Sequence, residues 1–327
     1  MSMLSVVIPA LNEQEAVGQV VEGVLAVQGA LRREAGITEL EILVVDDGST
    51  DGTASAVSQV KPHDRRATIH LLSHEVSQGY GAALQDGFCQ AQGDYLAFLD
   101  ADSTYPPEKL PALCSALVHS RADLVIGDRM NGGPSHMPPL RWLGNAFFAR
   151  LVSLLTGTPV ADTSSGMRVF PRATLQALGP LPRGLDLTPA MTIRALYKQL
   201  AVCEVSIPYR ERVGRSKLKI VRDGLRFFAT ICRETWHHMP VRLWRLAGLT
   251  LVSPVLGGLT ALAAVQRCQP GSGQLGALLR SAARSLLSHL MGLALLVRAL
   301  PDGVRLAQRA IAPPPGHVLQ GEEEQAS

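Results

Sequence analysis

Three apolar runs in the first hundred residues each break into a polar loop and then into helical sequence, a pattern that leaves few folds open. The first is Leu4-Ser5-Val6-Val7-Ile8-Pro9, followed by Ala10-Leu11-Asn12-Glu13 and a helical stretch from Gln14 to Val27. The second runs from Glu41 to Val45 and turns at Asp46-Asp47-Gly48-Ser49, with Asp51 or Thr53 placed to cap the next helix. The third, Tyr95 to Leu99, ends in Asp100-Ala101-Asp102. Unbroken apolar runs of this length read as strands buried on both faces, hence parallel. Strand–loop–helix units in series predict an α/β fold, a doubly wound and mostly parallel sheet flanked by helices. Ligands of such sheets bind outside the carboxyl ends of the strands, where all three polar loops fall.

Asp100 and Asp102 stand two positions apart at a strand end, so they point the same way and form an acidic claw. Two hard oxygen donors suit Mg²⁺ or Mn²⁺, ions normally shared with substrate phosphates. By itself an Asp-x-Asp is as readily a solvated turn. The second acidic strand end, Asp46-Asp47, strengthens the metal reading. Between the two, Gly79 and Gly81 precede a helix start, where backbone can approach a phosphate or sugar and the helix N-terminus favours an anion. Cations follow in order. Arg129 comes after the strand Ala122 to Ile126, then Arg141 near Asn145, Arg168 after Asp162-Thr163-Ser164-Ser165-Gly166, and Arg212 and Lys217 in Arg212-Val213-Gly214-Arg215-Ser216-Lys217-Leu218. Arginine suits bidentate phosphate binding and lysine serves as a point charge. Such a series beside an acidic claw points to two phosphorylated species meeting in one site.

A chain of 327 residues has room for one large domain and an appendage. Its net charge of +3 gives no reason to expect nucleic acid. The five cysteines show no metal-binding spacing and read as reduced thiols of a cytosolic compartment. Met1 leads straight into the first strand, without the pattern of a signal peptide. From Val205 to Arg245 ten basic residues face only Glu211, Asp223 and Glu234, and Leu225, Phe227, Phe228 and Trp236 interleave with them. That mixture suits an anionic membrane surface, or an ordinary surface helix packed on the core. Leu246 to Val265 is a twenty-residue run without a charge, long enough to span a bilayer. Ser285 to Val297 is shorter, and reads as half of a tilted hairpin, an interfacial segment or a buried helix. The expected division is a catalytic domain over 1–215, a basic amphipathic interface helix over 216–240, hydrophobic membrane-associated helices over 241–300 and a tail over 301–327, disordered in part.

In this order the motifs resemble family 2 glycosyltransferases of the GT-A fold, in particular the dolichyl-phosphate or polyprenyl-phosphate mannosyltransferase branch. The most specific are Val-Val-Ile-Pro-x-x-Asn-Glu, Asp-Asp-Gly-Ser-Thr-Asp-Gly-Thr, Asp-Ala-Asp-x-x-x-Pro-Pro-Glu, Ser-Gly-x-Arg-x-Phe and Arg-x-Gly-x-Ser-Lys-Leu, and the resemblance covers about residues 3–232. It implies inverting transfer of a hexose from a nucleotide sugar, of GDP-mannose or UDP-glucose type, to a polyprenyl phosphate at the cytosolic membrane face. Pro9, Leu11, Glu13, Val45 and Asp47 would line the nucleotide pocket. Asp100, Ala101 and Asp102 would hold ribose, metal and diphosphate. Arg129, Arg212 and Lys217 would bind phosphates and the transferred sugar, and Arg129 with Arg141 the acceptor phosphate. Thr104 stands where many members place a metal-binding Gln, and Ser77 where the family often has Asn. A hydroxyl acceptor, lipid or polysaccharide, would require a carboxylate base, for which Asp162 is the candidate unless it braces its own turn. Other readings are a sugar-phosphate nucleotidyltransferase, disfavoured by the loop Pro9 to Glu13, and a non-catalytic membrane scaffold, disfavoured by the intact claw.

Overall fold

The computed structural model describes residues 2–62, 64–132, 135–214 and 220–239. These belong almost wholly to one unit, residues 1–156 and 160–250. The chain alternates strands and helices: β1 (Ser2–Ala10), α1 (Val17–Ala26), α2 (Gln28–Ala35), β2 (Ile37–Asp46), α3 (Thr53–Gln59), β3 (Ala67–Ser73), α4 (Tyr80–Gln90) and β4 (Tyr95–Phe98). After a single 3₁₀ turn come α5 (Leu110–Ser120), β5 (Leu124–Asp128), α6 (Pro139–Thr156), β6 (Arg168–Pro171), α7 (Arg172–Leu178), α8 (Leu187–Tyr197), β7 (Val202–Ser206) and α9 (Ile220–His238). The seven strands form one sheet in the order β3-β2-β1-β4-β6-β5-β7, with β6 antiparallel to both neighbours and the other pairs parallel.

The two-residue period of a strand sorts the core into two layers. Leu4, Val6 and Ile8 of β1, Ile42 and Val44 of β2, and Ala97 of β4 face one side, packed with Val17, Val21 and Val24 of α1 and Leu113 and Leu117 of α5. Val7, Leu43, Val45, Leu96 and Phe98 face the other, against Leu84 and Phe88 of α4 and Leu187 and Met191 of α8. Both faces are covered, which is why these strands read as continuous apolar runs. Phe88, Phe98 and Phe170 meet in tilted and edge-on contacts with centroids 5.6–6.5 Å apart.

β1 and β2 end level, with Ala10 opposite Asp46, whereas β4 ends at Phe98 opposite Val7, so Asp100 and Asp102 follow it at the same edge. Reversed β6 starts at Arg168, opposite Phe98 at the end of β4 and Ile126 two residues before the end of β5. Its leading turn therefore joins the same edge of the sheet. The loops after β1 and β2 are stitched together by the Asn12 carboxamide oxygen accepting from Thr50 N–H at 2.8 Å and the Glu13 N–H donating to the Thr53 hydroxyl at 2.9 Å. Neither expected cap sits at the N-cap of α3. That position is Gly52, and Asp51 before it accepts from both the backbone and the hydroxyl of Thr53.

The expected basic helix is α9, whose buried face is largely polar and whose exposed face mixes arginines with large apolar side chains. It buries Asp223, Thr230, Ile231, Glu234 and Thr235. Glu234 pairs with Arg194 of α8 at 2.8 and 2.9 Å, and Thr230 donates to Asp186 at 2.8 Å. Leu225, Phe228 and Trp236 remain 65%, 46% and 50% exposed. Among the described residues no helix is long and apolar enough to cross a membrane. The runs Leu246 to Val265 and Ser285 to Val297 lie outside the described residues.

Candidate active site

One cavity of about 1080 Å³ opens along the carboxyl edge of the sheet. Pro9, Leu11, Glu13, Asp47, Asp100, Ala101, Asp102, Arg129, Arg141 and Arg212 all line it, so loops more than two hundred residues apart in sequence converge there. Two expected residues do not. Val45 is fully buried under α4 in the apolar layer. Thr104 is 1% exposed, and its hydroxyl donates to Asp102 Oδ1 at 2.5 Å. Its place is behind the claw, as a brace. Lys217 lies outside the described residues.

Asp100 accepts from the Tyr80 hydroxyl at 2.7 Å. A Cβ on Gly166 would come within 2.5 Å of the Asp100 carboxylate, so the turn before β6 needs glycine to make room for it. Asp102 is bound by Thr104 on one oxygen and by Arg212 on the other. The same guanidinium reaches Glu13 Oε1 at 2.5 Å and so spans the mouth of the claw. Burial, and then the charge of Asp102, push the Asp100 carboxyl up to about 7. Like-charged carboxylates at a sheet edge fit a hard divalent cation that takes its other ligands from phosphate and water. Among the described residues there is no group of three or more His, Cys, Asp or Glu that could hold a metal.

Arg129 follows β5 and is 6% exposed. Its Nε and Nη2 donate to the two oxygens of Asp162 at 2.6 and 2.8 Å. Burial acts to lower the arginine's pKa, but the facing Asp162 outweighs it and holds the charge firmly in place. Burial would raise the Asp162 carboxyl; the Arg129 charge and the hydrogen bonds of Arg129 and Ser164 N–H reverse this. Asp162 is fully buried and both of its oxygens are engaged, an arrangement that suits a brace for Arg129 better than a base. Tyr105 and Tyr209 flank the guanidinium with centroids 5.7 and 5.6 Å away. Tyr209 also accepts from Arg141 Nη1 at 2.9 Å and so joins the two cations expected at the acceptor phosphate.

Arg168 does not reach the cavity. It is buried under the turn before β6 and donates to Ser165 O and Thr163 O. Gly81 also differs from expectation. A Cβ there would meet Pro182 O at 2.4 Å, so the close approach is made by the chain itself. The anion at the start of α4 is likewise internal, the carboxylate of Asp47.

At the far end of the cavity, Leu225 and Phe228 belong to the basic stretch the sequence marked out, but the contribution of α6 was missed by sequence reasoning. Leu140, Leu143 and Phe147 of α6 and Leu225 and Phe228 of α9 line that end while remaining exposed. The helical spacing of 140, 143 and 147 was the available signal. Tyr105 and Tyr209 carried none, because nothing local marks a tyrosine as the flank of a distant arginine.

The family model for Glycosyl transferase family 2 matches residues 5–179. The chain is 30% identical over 84% of its length to the low-salt glycan biosynthesis hexosyltransferase of Haloferax volcanii, and spans 62% of that relative's length. It is 33% identical to a dolichyl-phosphate hexose transferase of the same organism, over 68% of this chain and 89% of the relative. It is 30% identical to an undecaprenyl-phosphate mannosyltransferase of Micrococcus luteus, over 65% of this chain and 86% of the relative. A similar solved fold is glucosyl-3-phosphoglycerate synthase from Mycobacterium tuberculosis in complex with Mn²⁺, UDP and glucosyl-3-phosphoglycerate, with TM-score 0.55 and 22% identity over 72% of this chain and 80% of that one. The family match alone takes in more than half of the residues, including both acidic strand ends and Arg129, and by it the chain belongs to glycosyltransferase family 2.

Proposed function

We propose that the protein transfers a hexose from a nucleotide sugar to a polyprenyl phosphate, with its catalytic unit on the cytosolic side of a membrane. The observation that carries this reading is the continuity of one cavity. It runs from Asp47, Asp100 and Asp102, past Arg129 and Arg141, to the exposed apolar side chains of α6 and α9. A polar donor, an anionic acceptor group and an apolar tail would meet these linings in that order. The named activities of the relatives from Haloferax volcanii and Micrococcus luteus, a dolichyl-phosphate hexose transferase and an undecaprenyl-phosphate mannosyltransferase, support the acceptor and the transferred hexose.

Glu13, Asp47 and the segment Ser77–Tyr80 would receive the nucleoside. A divalent cation held by Asp100 and Asp102 would supply Lewis-acid neutralisation of the departing diphosphate. Arg212, now spanning Glu13 and Asp102, would face that diphosphate, with Lys217 expected beside it. Arg129 and Arg141 would orient the acceptor phosphate against the anomeric carbon, which is catalysis by positioning and electrostatics. A phosphate is already anionic at neutral pH and needs no general base, in keeping with the full engagement of Asp162 by Arg129. A single displacement from the face opposite the leaving group inverts the anomeric centre.

The exposed side of α9 sets Arg222, Arg226 and Arg233 among Leu225, Phe228 and Trp236, and α6 adds Leu140, Trp142, Leu143 and Phe147. Apolar side chains with interspersed cations suit the headgroup region of an anionic bilayer. This face would seat the cavity mouth at the lipid, and the apolar sequence beyond residue 240 would anchor it. Incubation with radiolabelled UDP- and GDP-sugars, Mg²⁺ and polyprenyl phosphate vesicles, followed by lipid extraction, tests the reading. Label should enter the lipid phase for at least one donor, and none for any donor would refute it.

A further inference from the structure

The segment 161–166, which leads into β6, is gripped by two side chains of opposite charge. Arg168 of β6 and Glu204 of β7 both stand opposite Ile126 of β5, one on each side of it. Arg168 donates to the carbonyl oxygens of Thr163 and Ser165 at 2.7 and 3.1 Å. Glu204 accepts Ala161 N–H on both carboxylate oxygens and Asp162 N–H on Oε1, each at 2.9 Å. The cation takes carbonyls and the anion takes N–H groups, so complementary charge meets the backbone of this segment at both ends. Neither Arg168 nor Glu204 lines the cavity. What the segment carries does reach it. Asp162 fixes the Arg129 guanidinium at 2.6 and 2.8 Å and accepts the Arg129 backbone N–H at 3.3 Å. Glu204 therefore bonds the backbone of the very residue that holds Arg129.

We propose that Glu204 is a positioning residue for the acceptor phosphate: by clamping Ala161 and Asp162 it sets where Asp162 holds Arg129. The proposal rests on the acceptor reading above, in which Arg129 and Arg141 orient that phosphate. Two consecutive N–H groups on one carboxylate fix the direction of the backbone at Asp162, and with it the aim of the bidentate pair. Glu204 touches no substrate. Its loss should therefore show in the use of the acceptor and spare the use of the donor, which meets Glu13, Asp47 and the claw.

Transfer kinetics of the full chain with polyprenyl phosphate vesicles test it, each substrate varied at saturating levels of the other. Glu204→Ala leaves two backbone N–H groups without their acceptor. It should raise the acceptor KM on the order of tenfold, the scale of one hydrogen bond to a charged group, and keep the donor KM within about twofold of the parent. Glu204→Gln keeps an oxygen where Oε1 accepts both N–H groups and should stay within about threefold on the acceptor side. In an Arg129→Lys background, adding Glu204→Ala should cost little more, because both substitutions act on one contact. Leu31→Ala controls for lost stability: Leu31 is buried in α2, which packs on α1, α5 and β2, and the ratio of the two KM values should stay that of the parent. An unchanged acceptor KM in Glu204→Ala, an equal loss in Glu204→Gln, full additivity with Arg129→Lys, or a ratio moved as far by Leu31→Ala would each overturn the proposal. Should Glu204→Ala fail to fold, Glu204→Asp, too short to reach both N–H groups, takes its place: a raised acceptor KM supports the clamp, and an unchanged one overturns it. Failure of the unsubstituted protein to label any lipid would instead contradict the acceptor reading itself.

Discussion

Arg129 and Asp162 form a two-pronged ion pair, 2.6 and 2.8 Å, 33 residues apart in sequence and closed off from solvent except where the guanidinium borders the cavity. A pair this deep is costly to break from one side, because the surviving charge loses its partner without regaining water. Asp162→Asn should therefore destabilise the fold by about 3–5 kcal/mol. It should also lower transfer sharply, since Arg129 would no longer be fixed. Thermal unfolding and turnover measured together check this. A stable Asp162→Asn protein with normal turnover would show that the pair does not position Arg129.

Asp100 makes a pH prediction with a definite sign. Its carboxyl lies near 7 in the folded chain against an ordinary value of 3.8, raised by burial and by Asp102. A folded-state pKa above the unfolded one means that the folded chain holds the proton more tightly. The associated stability is present below about pH 4 and is lost as pH rises through about 7. Metal-free protein should thus lose this contribution between pH 4 and 7, and Asp100→Asn, a mimic of the protonated form, should flatten the slope. Mn²⁺ competes with the proton, so its affinity should rise with pH up to about 7 and then level. Denaturant melts across pH and Mn²⁺ titration by electron paramagnetic resonance read the two effects separately.

The sheet was legible because both of its faces are buried. β1, β2 and β4 announce themselves as apolar runs, and their polar termini mark the ligand edge. Asp47, Asp100, Asp102, Arg129, Arg141 and Arg212 were readable from motif order, and all reach the cavity. What escaped was anything set by long-range packing. Val45 alternates with Asp46 and Val44 along β2 and so turns into the α4 layer, a matter of which face each residue takes. The Gly79/Gly81 pair looked like a phosphate cradle, yet the backbone of Pro182 and Gly184 fills the space over Gly81. Asp162 carries no sequence mark separating a base from a brace. The bidentate contact with Arg129 is visible only in the fold and favours the brace.

Arg141 sits on α6 between the apolar mouth and Tyr209, away from the nucleotide loops. Arg141→Ala should raise the KM for polyprenyl phosphate on the order of tenfold, the loss of one charge-assisted hydrogen bond, and leave the donor KM within about twofold. Both constants measured on the same preparation check it. A larger change on the donor side would assign Arg141 to the nucleotide sugar.

Phe147 and Phe228 are 54% and 46% exposed. Phe147→Ser with Phe228→Ser should cost little stability, within about 0.5 kcal/mol per site for exposed positions. Partition onto anionic vesicles should weaken, and nucleotide binding should not. Sedimentation with vesicles and calorimetry with nucleotide separate the two. Undiminished vesicle binding would remove α6 and α9 from the lipid face.

The most direct test offers three acceptors in competition: polyprenyl phosphate, the matching polyprenol, and a soluble phosphorylated acid such as 3-phosphoglycerate. Product mass and the anomeric configuration by NMR are then read with the preferred nucleotide sugar and Mg²⁺. The cavity described here predicts a single lipid product, a hexose joined through one phosphate to the prenyl chain, with the anomeric centre inverted relative to the donor. Transfer to the polyprenol hydroxyl, preferential labelling of the soluble acid, or retention at the anomeric carbon would contradict it.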